Sequence, residues 1–472
     1  VRGRSVEDRV AREALFGSLP VLSDQRLYGF ADALLLLSGY CIATWSYTQG
    51  AYLATLVGFR QLVIGVFFGA ILMLCVYQLP VILSVRYGID IWIWLRAVFG
   101  GRGVMVMTVV IILINYPWYA VCADLFAASM MRLAALLGLE LPGSFHPALG
   151  LACVLAGTLL ALRGPGPMTK VTRILVPLLL AVGVLVVIVG FRAVPFQVIW
   201  NYRPKAQNGF AYLMSIEANF AFVITLVGGM AGVPRLTRSE RSGFWAGVLG
   251  QGAAGSFFVV VGAVMAIATG HVTGRMAEDP TLMLAVLAAP AMALCSLLLV
   301  AFANIGTQAV GAYLYGVMLK SAFRTAGYRV ILLILTVYAC GLVLWGGVVD
   351  YFGSFLTLSA SIYAPLAALL FTDFFLVRRQ KLALRSAYGL PGYTAYRYTG
   401  GFNWVGLACV AVGVVLSLAV YDPVSGTVRC ALLFILTPTG LSFLGTGLLY
   451  TLLSYVPPVR RYLLRDRGEI TV

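Results

Sequence analysis

Apolar residues run along this chain in unbroken stretches of about twenty, not at the three- and four-residue spacing of a soluble amphipathic helix. Twelve such runs predict membrane-spanning helices at 30–58, 62–85, 103–137, 147–162, 172–200, 209–233, 243–269, 282–319, 330–349, 352–377, 403–421 and 427–456. About 20 helical residues cross a hydrocarbon core of roughly 30 Å. Charged or Gly/Pro-rich breaks separate the runs. The longest connection, Val377 to Asn403, is too short for a soluble domain. The first run begins at Phe30, behind a charged segment containing SVEDRVARE, which argues against a removable signal peptide.

Composition agrees with this pattern. Hydrophobic residues make up 61% and charged residues only 11%, against about 25% charged in soluble chains. The net charge of +16 raises the question of nucleic acid, which the placement of the bases answers. With the N-terminus cytoplasmic, 26 of the 33 Lys and Arg fall on inside segments and the remaining 7 outside. This is a positive-inside asymmetry, so the charge reports topology and nucleic-acid binding is set aside. Both termini are expected in the cytoplasm, in a multi-pass membrane protein. The eight cysteines lie in or at the ends of the runs, which argues against a disulfide framework. His146 and His271 fall in expected external loops, and the runs contain no metal-binding cluster.

Polar residues inside the runs are the candidate chemistry, because an ionisable group near mid-bilayer is costly unless it faces protein or water. The first run contains SGYCIATWSYTQG, whose Gly39, Thr44, Ser46, Thr48 and Gly50 suit either an unwound helix or close packing through small residues. The sixth run offers Gly228, Gly229 and Gly232 before Pro234, an irregularity that matches the first. Glu217, beside Asn219, is either a substrate or proton-coupling group or an acid reaching water at the outer mouth. Asp124 lies within INYPWYAVCADL, six residues from Trp118 and so on a different helix face. It is either paired with another helix or held protonated. Asp32 and Asp373, near span ends, are expected to snorkel or pair with nearby Arg. Asn304, Thr307 and Gln308 cluster in the eighth run, where their oxygens suit either a monovalent cation or contacts between helices.

The stretch from Ala360 to Ala408 resembles a signature of the nucleobase:cation symporter family, which includes a bacterial hydantoin transporter and the cytosine and allantoin permeases. The matching residues are Asp373-Phe374-Phe375-Leu376-Val377-Arg378-Arg379 and Phe402-Asn403-Trp404, together with FGGRG at Phe99 to Gly103. The resemblance implies an all-α leucine-transporter-type fold of two inverted five-helix repeats plus two helices. On this chain it gives a cytoplasmic segment 1–29, repeats at 30–200 and 209–377, two helices within 403–456 and a tail at 457–472. It also implies cation-coupled import of a small planar nitrogen heterocycle by alternating access, with Na⁺ or H⁺ as the coupling ion, no cofactor and a monomer in the lipid bilayer.

Counting from Arg102-Gly103, the family's substrate-stacking tryptophan falls on Trp118 without a gap, and its hydrogen-bonding glutamine falls on Cys122. The second stacking tryptophan falls on Leu226, with Phe220 and Phe222 as nearby aromatic substitutes. Arg235 stands where the family has an acid. Thr307 matches the sodium-binding hydroxyl, while the neighbouring Ser has become Gly306 and the substrate-binding Asn has become Ala312. Ser38, Cys41 and Ala303 remain backbone candidates for Na⁺. Glu217 and Asp124 are the proton-coupling candidates. Glu217, Asn219 and Gln308 are expected to replace the missing polar contacts. Two rivals differ in kind: the same fold carrying an amine, amino acid or vitamin-like pyrimidine, and a membrane receptor or enzyme, against which the lack of an HExxH motif and of an appended domain counts.

Overall fold

The computed structural model describes residues 15–16, 19–42, 44–205, 209–228, 232–277 and 290–465. Each of the twelve runs contains an apolar helix. The first is interrupted, as α1 (Phe30–Cys41) and α2 (Thr44–Leu56). Then come α3 (Phe59–Tyr77), the short α4 (Ile91–Phe99), and α5 (Gly101–Asn115) with α6 (Trp118–Leu136), which together form the third span. The chain continues through α7 (Phe145–Ala161), α8 (Pro165–Ala193), α9 (Ala211–Ile224) and α10 (Glu240–Thr273). It ends with α11 (Pro290–Ala322), α12 (Tyr328–Trp345), α13 (Phe352–Val377), α14 (Trp404–Val420), α15 (Pro438–Tyr455) and α16 (Pro457–Leu463). A two-residue hairpin pairs Tyr421–Asp422 with Thr427–Val428 between α14 and α15.

The outside of the bundle is apolar. On α3, Ile64, Phe68, Leu72 and Val76 recur every fourth residue and all are exposed, which is the stripe a helix presents to lipid. Between helices the lipid supplies no hydrophobic contrast, so small residues that allow close backbone approach do the packing. A Cβ on Gly50 of α2 would lie 1.9 Å from the Val259 carbonyl oxygen of α10, and one on Gly262 of α10 would lie 2.2 Å from the Tyr47 carbonyl oxygen of α2. The two readings of SGYCIATWSYTQG are therefore both realised, at different residues: the helix stops at Cys41, and Gly50 packs α2 against α10.

The breaks follow from which carbonyls find partners. Pro117 has no N–H to offer the carbonyl four residues earlier, and the Tyr338 hydroxyl of α12 donates to that Leu113 oxygen at 2.7 Å. Ser359 of α13 donates to the Ile114 oxygen at 3.3 Å. At the first break, Ser46 donates to the Cys41 oxygen (2.6 Å) and Thr307 to the Gly39 oxygen (3.3 Å). At the end of α9, Tyr77 donates to the Ile224 oxygen (2.7 Å) and Asn115 to the Thr225 oxygen (3.3 Å). Of the glycines noted in the sixth run, Gly229 lies outside the described residues.

The family-like motifs meet one another on the face that carries both ends of the described chain. Asn403 donates its backbone N–H to the Phe99 oxygen at 2.8 Å. Gly100, at φ 79°, approaches Gly401 so closely that a Cβ would sit 2.5 Å from its oxygen. Asp373 and Arg378 form a buried pair at 2.8 Å. Tyr450 donates to the same carboxylate, while Arg378 donates to the oxygens of Ala97 and Leu463. Snorkelling was one expectation for Asp373, but the pair is 0–1% exposed. Asp32 pairs with Arg173 at 2.6 Å.

Two outcomes follow from this packing. Gly262→Ala forces α2 and α10 apart, and a loss of about 1–3 kcal/mol is expected as a lowered melting temperature of the purified protein. Asp373→Ala leaves Arg378 buried without its carboxylate and costs about 3–5 kcal/mol. Replacing both partners with apolar residues is expected to cost less than that single change in the same melting assay.

Candidate functional site

Where α1, α2, α5, α6 and the end of α9 converge, Tyr40, Trp45, Asn115, Trp118, Phe222, Thr225 and Leu226 line a common pocket. Trp118 is its centre. Its ring meets Trp45 edge-on at 5.3 Å and 82°, and Phe222 at 6.1 Å and 78°. Phe352 and Phe355 of α13 approach it at 5.4 and 5.0 Å. The aromatic side chains close on a space of about 10 Å³, the threshold for a single water molecule. A planar ligand therefore enters only if some of these rings turn aside.

The pocket's polar atoms are few and set against apolar walls. Neither the Trp45 nor the Trp118 indole Nε1 has a hydrogen-bond partner among the described residues, and the same holds for Asn115 Oδ1. Asn115 is oriented through its Nδ2, which donates to the Thr225 oxygen and to Tyr315 Oη. Two donors and one acceptor thus stand ready, whereas a buried polar group without a partner costs roughly 1–3 kcal/mol. On one side the pocket is backed by buried tyrosines, with Tyr119 Oη 3.5 Å from Tyr40 Oη and Tyr315 Oη 3.3 Å from Tyr363 Oη.

The structure distributes the residues anticipated from sequence unevenly. Trp118, Phe222 and Leu226 line the pocket. Phe220 instead faces α3, 3.6 Å from where a Cβ on Gly69 would stand. Cys122 is fully buried in α6 and is not among the lining residues. Gln308 packs on Gly157 of α7, and Ala312, one turn later, shares that face of α11. Thr307 sits at the end of α1, where it bonds the Gly39 oxygen. The Ser38 oxygen accepts from Ile42 N at 2.8 Å. Ala303 is buried within α11, and Gly306 offers only backbone.

Glu217, Ala218 and Asn219 form a junction outside the pocket. Glu217 is buried and does not reach water, because its carboxylate accepts from Thr439 N (2.9 Å) and Thr439 Oγ1 (2.6 Å) at the start of α15. A carboxylate is stabilised there by the free N–H groups and dipole of a helix N-terminus. Gln49 of α2 donates to the Ala218 oxygen at 3.1 Å, and Asn219 donates to the Gly65 oxygen of α3 at 2.7 Å. Asp124 is half-buried, 3.8 Å from His146 Nδ1. His146 lies in the first turn of α7 and His271 in the last turn of α10, so neither is in a loop.

Sequence reading missed Trp45, Asn115, Thr225 and Tyr40. All four adjoin a helix break, and Trp45 lies inside the stretch singled out for its small residues. An aromatic or amide beside an unwound turn was the available signal.

A family model described as permease for cytosine/purines, uracil, thiamine, allantoin matches residues 20–437. A hydantoin permease from Microbacterium maritypicum is 36% identical over 107 residues, which is 23% of this chain and 18% of that protein. Among solved structures, Mhp1, a nucleobase-cation-symport-1 family transporter in a closed conformation with bromovinylhydantoin bound, superposes with a TM-score of 0.79. It is 20% identical, with 96% of this chain and 97% of that chain covered. A Na⁺-coupled sialic acid symporter in a substrate-bound outward-open state is 11% identical and superposes at 0.63, with 94% of this chain and 95% of that chain covered. These likenesses establish the leucine-transporter-type fold. By the extent of the family match, the chain belongs to the family of permeases for cytosine/purines, uracil, thiamine and allantoin.

Proposed function

We propose that the protein is a cation-coupled secondary transporter that carries a small planar nitrogen heterocycle by alternating access. The observation that carries this reading is the Trp118 pocket, with its apolar ring faces and three polar atoms that lack a hydrogen-bond partner among the described residues. Flat ring faces bury apolar area against a heterocycle. The two indole N–H groups and the Asn115 oxygen match ring-edge carbonyls and N–H groups. The 30–200 and 209–377 units are read as the two halves that move. The first puts the break between α1 and α2 at the pocket and the second puts the end of α9 there, as transporters built from inverted repeats place broken helices at their sites. The distribution of Lys and Arg supports a cytoplasmic position for the face that carries the chain ends.

The coupling ion is read as Na⁺ at the end of α1, with the oxygens of Ser38, Cys41 and Ala303 and the Thr307 hydroxyl as its ligands. Thr307 already reaches that turn. The carboxylic acids are less well placed for proton coupling: Glu217 is engaged with α15 and Asp124 lies beside His146, both outside the pocket. Melting curves of the purified protein with Na⁺ against K⁺ are expected to show Na⁺-specific stabilisation that Thr307→Ala removes. Uptake driven by a proton gradient with no Na⁺ effect overturns this assignment.

Trp118→Ala is expected to reduce uptake of the substrate to background with the protein still present in the membrane. The substrate itself comes from a melting screen against nucleobases, hydantoins, ureides and amines. Trp45→Phe keeps the aromatic wall and removes one N–H, so substrate affinity measured by titration should fall about five- to tenfold. Normal uptake by the Trp118 variant would falsify the proposed role of its ring.

A further inference from the structure

A second cavity, of about 610 Å³, opens on the face that carries the chain ends, lined by residues other than those of the Trp118 pocket. Its walls include Arg96 of α4, Arg102 and Met105 of α5, Arg324 just beyond α11, and Tyr396 and Arg397 of the long connection. Among the described residues no Asp or Glu lines it. None of the four arginines has a carboxylate within ion-pair distance among the described residues.

Arg96 is the most informative of them. It is only 9% exposed, and its Nη atoms donate to the oxygens of Ala387 (3.3 Å) and Ser321 (3.0 Å). Its Nε has no acceptor among the described residues. Arg324 is half-buried against the Tyr388 ring, 5.5 Å from its centroid, and burial lowers its pKa. The N-terminus of α5 adds to the positive field: Gly100 offers no side-chain cap, and Gly101 lines the cavity. Gathering four guanidinium groups and a helix N-terminus without a counter-charge is costly. An oxyanion would offset that cost, and phosphate suits the planar fork of arginine best.

We propose that this cavity is a binding site for a phosphate group, held by Arg96, Arg102, Arg324 and Arg397 at the N-terminus of α5. Two sources present that chemistry: an anionic lipid headgroup and a soluble phosphate compound. A lipid-facing stripe begins at the cavity with Met105, which lines it, and continues along α5 through the exposed Val106 and Val109; α12, the helix that follows Arg324, exposes Val330, Leu333 and Ile334. Acyl chains lying along those stripes would leave a headgroup at the level of the arginines, the arrangement by which basic pockets between helices hold anionic lipid. The bound group would brace α4, α5, the end of α11 and the connection after α13 without touching the Trp118 pocket.

The test uses the full chain, purified and delipidated in a neutral detergent, with melting measured after adding phosphatidylglycerol, phosphatidylcholine or inorganic phosphate. Phosphatidylglycerol is expected to raise the melting temperature by about 2–4 °C and phosphatidylcholine to leave it unchanged. The rim variant Arg102→Gln/Arg397→Gln alters exposed side chains. It should melt like the parent in phosphatidylcholine and lose at least half of the phosphatidylglycerol shift. If that variant misfolds, Arg102→Gln and Arg397→Gln are measured singly, each with a smaller loss expected. Stabilisation by phosphatidylglycerol alone assigns the lipid headgroup, and an equal shift with inorganic phosphate that displaces the lipid in native mass spectra assigns a soluble source. The proposal is overturned if neither compound shifts the parent, if phosphatidylcholine works as well as phosphatidylglycerol, or if the variants respond as the parent does.

Discussion

A helix interrupted inside a bilayer frees carbonyl oxygens where no water can reach them, and each must then find a donor within the protein. The centre of this molecule is arranged around that requirement. Ser46 and Thr307 serve the end of α1, Tyr77 and Asn115 the end of α9, and Tyr338 and Ser359 the step at Pro117. Because the donors other than Ser46 come from neighbouring spans, each break also ties helices together. Asn115 shows the economy of this arrangement: it lines the pocket, its amide nitrogen satisfies the α9 end, and its oxygen has no partner among the described residues.

Around the centre, polar and small residues set which helices stay together. Gly50 and Gly262 bring α2 and α10 into backbone contact, while residues 217–219 tie α9 to α15, α2 and α3 at once. At the face bearing the chain ends, Arg378 and Asp373 join α13 to α4, α15 and α16. A rearrangement that opens the Trp118 pocket must carry α9 with the partners of that junction or break buried hydrogen bonds, each worth about 0.5–1.5 kcal/mol net.

Much of the fold was legible in advance, because the bilayer imposes a simple rule on composition. Twelve apolar runs correspond to twelve helical segments; the run at 403 and its helix agree to within a residue at the Asn403 cap, whereas the run at 427 becomes a helix only from Pro438, where the Thr437 cap decides the boundary. The site was legible only in part. Trp118 could be placed by its distance from Arg102-Gly103, and Leu226 and Phe222 by theirs from the end of the sixth span. Glu217 and Gln308 attracted attention because polarity inside an apolar run is conspicuous, yet that signal does not tell a ligand contact from a contact between helices. Glu217 meets the start of α15, more than two hundred residues away, and Gln308 meets Gly157.

The sequence by itself determined the class of molecule, its family and its run of apolar helices, because these depend on local composition and on short motifs of fixed spacing. Only the tertiary structure decided that Trp45 and Asn115 complete the pocket and that the signature motifs are mutual packing contacts. It alone brought four arginines from separate segments around one cavity. The physical reason is the same in each case. Periodicity and spacing report what a residue does along its own helix, whereas a pocket is made by the faces that helices turn toward one another, and that is set by close packing between distant parts of the chain.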